Sequence, residues 1–408
     1  VNAQSIDAND IAKRLELTAE QCALGAGVKN RYLVGKGALK GIPVHPLGFL
    51  WSNYLSLKGR LRLMTEFAVP RNKNKAEETI AEFAGRRFGK EFSAKVIDPL
   101  VAGIYAGRAG ELSVKAGFPK LYGLEQKYGS ISLGLVQHHR QGAKNMPSSR
   151  LFSFKDGIGF LPKALADALG ERVKTGVTVR RIKKTLHGFS IDTEDKSKLR
   201  ARAIVVATQP HVAAELLEDV DVYSSHTASE IEAPPLAVVY FGFKRKDVEH
   251  PLDGLGFLAP ESEKLSMSGS QFCSTMFPGR APQDCVSMAG YFGGARAPEL
   301  AQLPAADLTE IARREFKDLV GAKGEPVVSR VRHWPRGLPQ YKIGHTDRVQ
   351  TMLKANQRVP GLFLTGNYIC GPSVAVCVDQ AGKTAVNVAN HLDAHVPSDM
   401  EQTQKAAM

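Results

Sequence analysis

A mixed α/β (α+β) architecture in several parts is what this sequence predicts, and three observations carry that expectation. The chain has 408 residues, and at about 100–200 residues per domain that length calls for two or three domains. Residues 49–150 carry mostly helical periodicity, whereas from 233 to 340 β-branched and aromatic runs alternate with turns. Residues 203–208 and 361–367 are continuous apolar runs of the kind buried in a layered α/β sheet, and the second passes through a glycine turn into a helix over 378–392.

Composition narrows the class. Hydrophobic residues make up 43% and charged residues 23%, which excludes disordered, collagen-like and coiled-coil chains. Five cysteines without a CxxC pair argue against a secreted disulfide scaffold or a zinc site and for a reducing compartment. Cys370 and Cys377 are the closest pair and read as free buried thiols, whereas Cys22 and Cys285 show no partner. No stretch of 18 apolar residues is present. The first ten residues, VNAQSIDAND, form no signal sequence, and the initial Val suggests a processed chain or a missing start.

Taken in order, Leu57, Leu61, Met64 and Phe67 recur at three- and four-residue spacing on one helical face, which Pro70 ends. Asn74 and Glu77 resemble the capping box of a second helix whose apolar face is Ile80, Phe83 and Phe88. Nine cations from Lys58 to Lys90 face four glutamates. They make either a solvated helical face or a surface for anionic lipid head groups. Nucleic acid is excluded, because no binding motif or interleaved aromatic accompanies them. Further on, Lys155, Asp156 and Gly157 open a helix with Leu161, Leu165 and Leu169 on one face. Short strands are expected at 177–182, 189–192, 237–243, 286–292 and 327–334, with a helix over 308–319. The tail beyond 396 is polar. The glycines at 35, 37 and 41 miss the dinucleotide spacing and lead into Ile42 and Pro43, so they predict a hairpin turn. His138 and His139 are adjacent on a helix and share no focus for a metal, so none is expected.

Several stretches in chain order resemble protoporphyrinogen oxidase, a flavoenzyme of the FAD-dependent amine oxidase-like superfamily that acts late in haem synthesis. They are KNRY at 29–32, IDPLVAGIYAG at 97–107, Leu124 with Glu125, GSI at 129–131, FPGRAP at 277–282, Gly293 with Gly294, LPQYKIGH at 338–345 and GNY at 366–368. The resemblance implies a Rossmann-like FAD-binding domain, incomplete here because its first strand–helix–strand unit is absent. An antiparallel-sheet substrate domain and a helical membrane-binding domain complete the set. On that reading 1–25, 150–215 and 345–395 belong to the flavin domain, 26–48 and 216–344 to the substrate domain and 49–149 to the helical domain, with a flexible tail over 396–408. Asp156 stands where the family has the first glycine of a pair.

The implied activity is oxidation of a porphyrinogen to the porphyrin by hydride transfer to FAD, with oxygen as acceptor and no catalytic acid–base pair. The resemblance assigns Val179, Thr208, Gly366, Asn367, Ser373, Val374 and Ala375 to the cofactor. Val179 falls on the adenine side, and Val374 with Ala375 falls on the flavin ring. It assigns Arg31 to a substrate propionate, which a guanidinium suits. Leu258 and Tyr291 sandwich the macrocycle, Gln271 occupies a position that is often apolar, and Gly134 lies on a cavity-lining helix. A cytoplasmic enzyme attached peripherally to an anionic membrane is implied, or one at the mitochondrial inner membrane, and a homodimer is compatible. The rivals are another flavin oxidase, of the amine-oxidase or phytoene-desaturase kind, and a flavin-free porphyrin-binding protein.

Overall fold

The computed structural model describes residues 6–42, 48–49, 51–72, 76–140 and 151–394. Asn74, Pro43 and the tail beyond 396 lie outside the described residues, as do the side chains of His138 and His139. The strands in chain order are β1 Gln21–Ala23, β2 Asn30–Gly35, β3 Ala38–Ile42, β4 Phe152–Phe154, β5 Val179–Thr185, β6 Gly188–Thr193 and β7 Lys198–Ala201. They continue with β8 Ile204–Val206, β9 Leu236–Lys244, β10 Gly254–Leu258, β11 Gly269–Gln271, β12 Cys285–Gly293, β13 Val328–Trp334 and β14 Leu362–Leu364.

The described residues fall into two compact units. The first draws on the described residues within 6–19, 158–232 and 346–394. Its centre is a parallel pair, with Leu362, Phe363 and Leu364 of β14 opposite Ile204, Val205 and Val206 of β8. Helices Pro210–Leu217 and Val222–Ser229 pack Ala213, Leu217 and Ala228 against this pair and against Ile182 and Phe189 of the antiparallel β5–β6–β7 meander. A two-pronged bond from Arg358 to Asp221, at 2.6 and 3.1 Å, joins the late segment to the middle one. The apolar run at 203–208 gives a strand of three residues, and Val205 is exposed rather than covered on both faces.

The second unit draws on Glu20–Gly157 and Ala233–His345. It is built on a seven-stranded sheet in the order β13-β9-β12-β11-β10-β2-β3, antiparallel except between β10 and β2. The β2–β3 hairpin turns at Lys36 and Gly37, both at positive φ (55° and 71°), the backbone of a two-residue turn that favours glycine at its second position. Alternation along the strands sends Val34, Val239, Phe241, Phe243, Phe257 and Met288 to one side. There they meet Leu308, Ala312, Phe316 and Leu319 of helix Ala305–Val320. Two of the stretches behind the resemblance are ties within this unit. Arg280 donates to the carbonyl of Phe154 at 2.5 Å, and Gln340 donates to the carbonyl of Tyr105 at 2.8 Å.

The helical segment has its own core of Ile80, Phe83, Val101, Tyr105 and Leu112. Its helix Ile80–Phe88 is capped by Thr79 and Glu82. Thr79 fits because its backbone is extended there and its hydroxyl reaches the amide of Glu82. Glu77 instead accepts the Ser113 hydroxyl and the amide of Gly344. Two of the cations expected on a solvated face are inside. Arg87 is fully buried between Glu66 and Glu125, and Arg86 pairs with Glu78 and Glu125. Conversely, Leu57, Leu61 and Met64 lie on helix Leu57–Met64, which stops before Phe67 in the separate turn Glu66–Ala68, and all four are exposed, as is Trp51.

Candidate active site

In the second unit, directly opposed residues on neighbouring strands point to the same side. One such row crosses the sheet from Leu33 through Leu258, Gly269, Tyr291 and Val238 to Arg332. The row beside it contains Gly256, Gln271, Ala289, Tyr240 and Arg330. Both rows lie on the side away from the phenylalanine core. Arg31 precedes Leu33 by two residues and therefore shares its side. The structure thus gathers Arg31, Leu258, Gln271 and Tyr291 on one face.

Local chemistry fixes each of them. The strand that carries Arg31 is held from behind, where Tyr32 donates to Asp253 at 2.6 Å and Asn30 donates to its other oxygen at 2.9 Å. Arg31 itself is exposed, and among the described residues no carboxylate pairs with it. Lys40 stands opposite Leu33 and is exposed on the same side, adding a second cation at this edge. Tyr291 donates its hydroxyl to Gln271 Oε1 at 2.7 Å. Burial pushes the Tyr291 phenol far above its ordinary range, so the ring stays neutral. Gly269 separates Leu258 from Tyr291, and a methyl group there would lie 3.0 Å from Leu258 Cδ2 and 2.6 Å from the Phe257 carbonyl. Helix Asp98–Tyr105 approaches the face at Leu258, where a methyl group on Gly103 would lie 2.7 Å from Leu258 Cδ2.

Gly134 lies on helix Ile131–Arg140, where an added methyl group would lie 2.9 Å from Tyr128 Cδ2 and 3.0 Å from Leu124 Cδ2. Its bareness lets two helices pack closely. Tyr240, Lys40, Gly103 and Gly269 were not singled out from the sequence. For Tyr240 a signal existed, because it is out of phase with Phe241 and Phe243 in an alternating strand.

The second candidate region belongs to the first unit. Strands β8 and β14 end side by side, and each runs directly into a turn and a helix. Gly366 has φ 143°, and a methyl group on it would lie 2.8 Å from Tyr368 Cε1 and 3.7 Å from the Thr208 carbonyl. The next helix, Val374–Ala394, starts at the same end, and Ser373 accepts the amide of Val376 at 3.2 Å. The opening amides of that helix have no carbonyl four residues earlier inside it. Thr208, Gly366, Asn367, Ser373, Val374 and Ala375 therefore cluster at the carboxyl ends of two parallel strands, a place where open α/β sheets take ligands. Val179 stands apart at the start of β5, partly buried on the core.

With this geometry established, comparisons assign the family. Residues 13–392 match the model for flavin containing amine oxidoreductase. The chain belongs to the flavin-containing amine oxidoreductase family. The protein is accordingly a flavin-dependent oxidoreductase with FAD as its cofactor. It is 29% identical to the chloroplastic protoporphyrinogen oxidase of Nicotiana tabacum, over 91% of this chain and 73% of that one. It is 28% identical to the coproporphyrinogen III oxidase of Bacillus subtilis (strain 168), over 86% and 76%. The fold matches the crystal structure of a candidate protoporphyrinogen oxidase from Exiguobacterium sp. 255-15, with TM-score 0.81 at 19% identity over 96% of this chain and 86% of that one.

The residues of this amine oxidoreductase fit a flavin. The Tyr368 ring packs against the bare Gly366 backbone and fixes the course of this turn, and the opening turn of helix Val374–Ala394 offers backbone amides to an electron-rich ring edge. Val374, exposed beside buried Ala375, supplies apolar surface for a ring face. Asp156 is accommodated because its backbone keeps negative φ while Gly157 takes the positive value, 100°.

Proposed function

We propose that this protein oxidises a porphyrinogen to its porphyrin. The observation that carries the reading is the gathering of an exposed Arg31, with which no carboxylate among the described residues pairs, with Leu258, Gln271 and Tyr291 on one sheet face. The named activities of the tobacco and Bacillus relatives support it.

A porphyrinogen has saturated bridging carbons and propionate side chains. Arg31 holds one carboxylate through two parallel hydrogen bonds, and Lys40 holds a second as a point charge. The Leu258 side chain and the Tyr291 ring give the macrocycle an apolar and aromatic bed. The Gln271 bond fixes the Tyr291 ring plane, and the neutral phenol places no negative charge beside the substrate. When bound, the flavin accepts a hydride. Each two-electron step removes a hydride from a bridging carbon together with one proton. After three steps the four bridges have each lost one hydrogen and two pyrrole nitrogens have lost theirs, three hydrides and three protons in all. The pyrrole nitrogens stabilise the cation left behind, so positioning is the main demand on the protein. Oxygen is the final acceptor on this reading.

The same reading places the enzyme peripherally on an anionic membrane, on the cytoplasmic side or at the mitochondrial inner membrane. What supports it is the exposure of Trp51, Leu57, Leu61, Met64 and Phe67 beside Lys58 and Arg60, since apolar side chains among cations suit the headgroup boundary. Among the described residues no helix is long and apolar enough to cross a membrane. The test of function is aerobic incubation of the flavin-loaded protein with a freshly reduced porphyrinogen. Porphyrin fluorescence should rise faster than in buffer, and no rise above buffer would refute the proposal.

A further inference from the structure

Two thiols that the proposed chemistry does not use lie side by side. Cys370 closes the short helical turn Asn367–Cys370, and Cys377 sits in the first turn of helix Val374–Ala394. Cys370 Sγ is 3.9 Å from Cys377 Sγ and donates its proton toward it. Both are half-buried rather than sealed in the core. The other three cysteines, Cys22, Cys273 and Cys285, belong to the other unit.

Three features favour reaction between the two. A disulfide has its sulfurs about 2.05 Å apart, so side-chain rotation need close only about 1.9 Å. Gly371 sits between them at φ 134°, where backbone adjustment meets little steric resistance. Cys377 also occupies the first turn of a helix, whose dipole favours a thiolate. The hydrogen bond from Cys370 lowers the Cys377 thiol to about 7 although burial opposes this, while Cys370 holds its own proton more tightly.

We propose that Cys370 and Cys377 form a reversible intramolecular disulfide on reaction with a hydroperoxide. With hydrogen peroxide, the Cys377 thiolate attacks one oxygen and the O–O bond breaks. The sulfur is oxidised by two electrons to a sulfenic acid, and the departing hydroxide takes up the thiol proton as water. The Cys370 sulfur then attacks the Cys377 sulfur, and the S–O bond breaks. The hydroxide that leaves combines with the Cys370 proton as a second water. Two thiols and one peroxide thus give one disulfide and two waters, and a dithiol reductant reverses the bridge. The closed ring clamps the start of helix Val374–Ala394 to the turn before it.

Both cysteines lie between Arg358 and Lys383 with no other Lys or Arg in the interval, so trypsin releases them in one peptide. Flavin-loaded, full-length protein is treated with equimolar hydrogen peroxide, alkylated and digested. The 359–383 peptide should be lighter than the dithiol form by two hydrogens and refractory to alkylation until dithiothreitol is added. Cys22, Cys273 and Cys285 should remain alkylated. In Cys370→Ser, a sulfenic acid trappable by dimedone should accumulate at Cys377. Full alkylation of 359–383 after peroxide would overturn the proposal, as would its conversion to a sulfinic acid without a bridge. The wild-type mapping decides the matter even if the variant does not fold.

Discussion

Leu258 and Tyr291 stand opposite the same residue, Gly269, on the strand between them, and the Leu258 side chain leans over that bare position. An aliphatic and an aromatic side chain are thereby presented in one row on the same face. The strand order brings Arg31 and Lys40 to one edge of that row.

Replacing Arg31 with Leu should raise KM for a porphyrinogen roughly ten- to hundredfold with kcat little changed. A charge-assisted hydrogen bond contributes about 1.5–3 kcal/mol, and about 1.4 kcal/mol is tenfold. A porphyrinogen whose propionates are esterified should show no such difference between wild type and variant. Steady-state kinetics with the two substrates checks this, and an equal loss for both would separate the guanidinium from propionate binding.

Gly269→Ala should impair the face from within the sheet. Its methyl group would meet the Phe257 carbonyl and push against Leu258, and overpacking of this kind costs about 1–3 kcal/mol. A lower denaturation midpoint together with a lower kcat/KM is expected. Tyr291→Phe keeps the ring and loses only the bond to Gln271, a change of about 1 kcal/mol, so its kcat/KM should fall only a few-fold.

Gly366→Ala should empty the protein of flavin. The added methyl group meets the Tyr368 ring, at a φ that side-chain-bearing residues rarely adopt. The ratio of flavin absorbance to protein in purified material reads the effect directly. A substoichiometric ratio is expected, and full occupancy would move the cofactor away from this turn.

How much of this was legible in the sequence differs by element. Alternation in 237–243 is readable because Phe241 and Phe243 are in phase, and the hairpin is readable because Gly37 supplies positive φ. Which residues share a row is not, because β2 pairs in parallel with β10 from far along the chain, and local pattern carries no long-range register. Periodicity placed Leu57, Leu61, Met64 and Phe67 together but says nothing about what meets them, and they face outward. Counting charges misplaced Arg87. Its buried position depends on Glu66 and Glu125 arriving from separate segments.

That buried cluster gives a stability prediction. Arg87→Met leaves Glu66 and Glu125 without their shared cation in the interior, and breaking a buried pair costs about 3–5 kcal/mol. The helical segment should lose its cooperative thermal transition at a lower temperature than wild type.

Acid should loosen the same region. Burial works against charge on Glu91, but hydrogen bonds from Lys95 and Ser56 pull its pKa down to about 2. Burial likewise opposes charge on Glu66, but hydrogen bonds from Ser132, Ile131 and Ser130 hold it below the usual carboxylate range. A carboxylate depressed in the folded state stabilises fully above its unfolded pKa, about 4.3, and that contribution fades as pH falls toward the folded value. Helical circular dichroism should therefore fall between about pH 4.3 and about pH 2. Glu91→Gln should be less stable at neutral pH and show a shallower acid slope.

The decisive measurement is anaerobic mixing of the flavin-loaded protein with a porphyrinogen, following flavin absorbance near roughly 450 nm. Rapid bleaching at a rate that saturates with porphyrinogen, with no bleaching by simple primary amines, is the result expected here. Bleaching by amines with the porphyrinogen inert would contradict it.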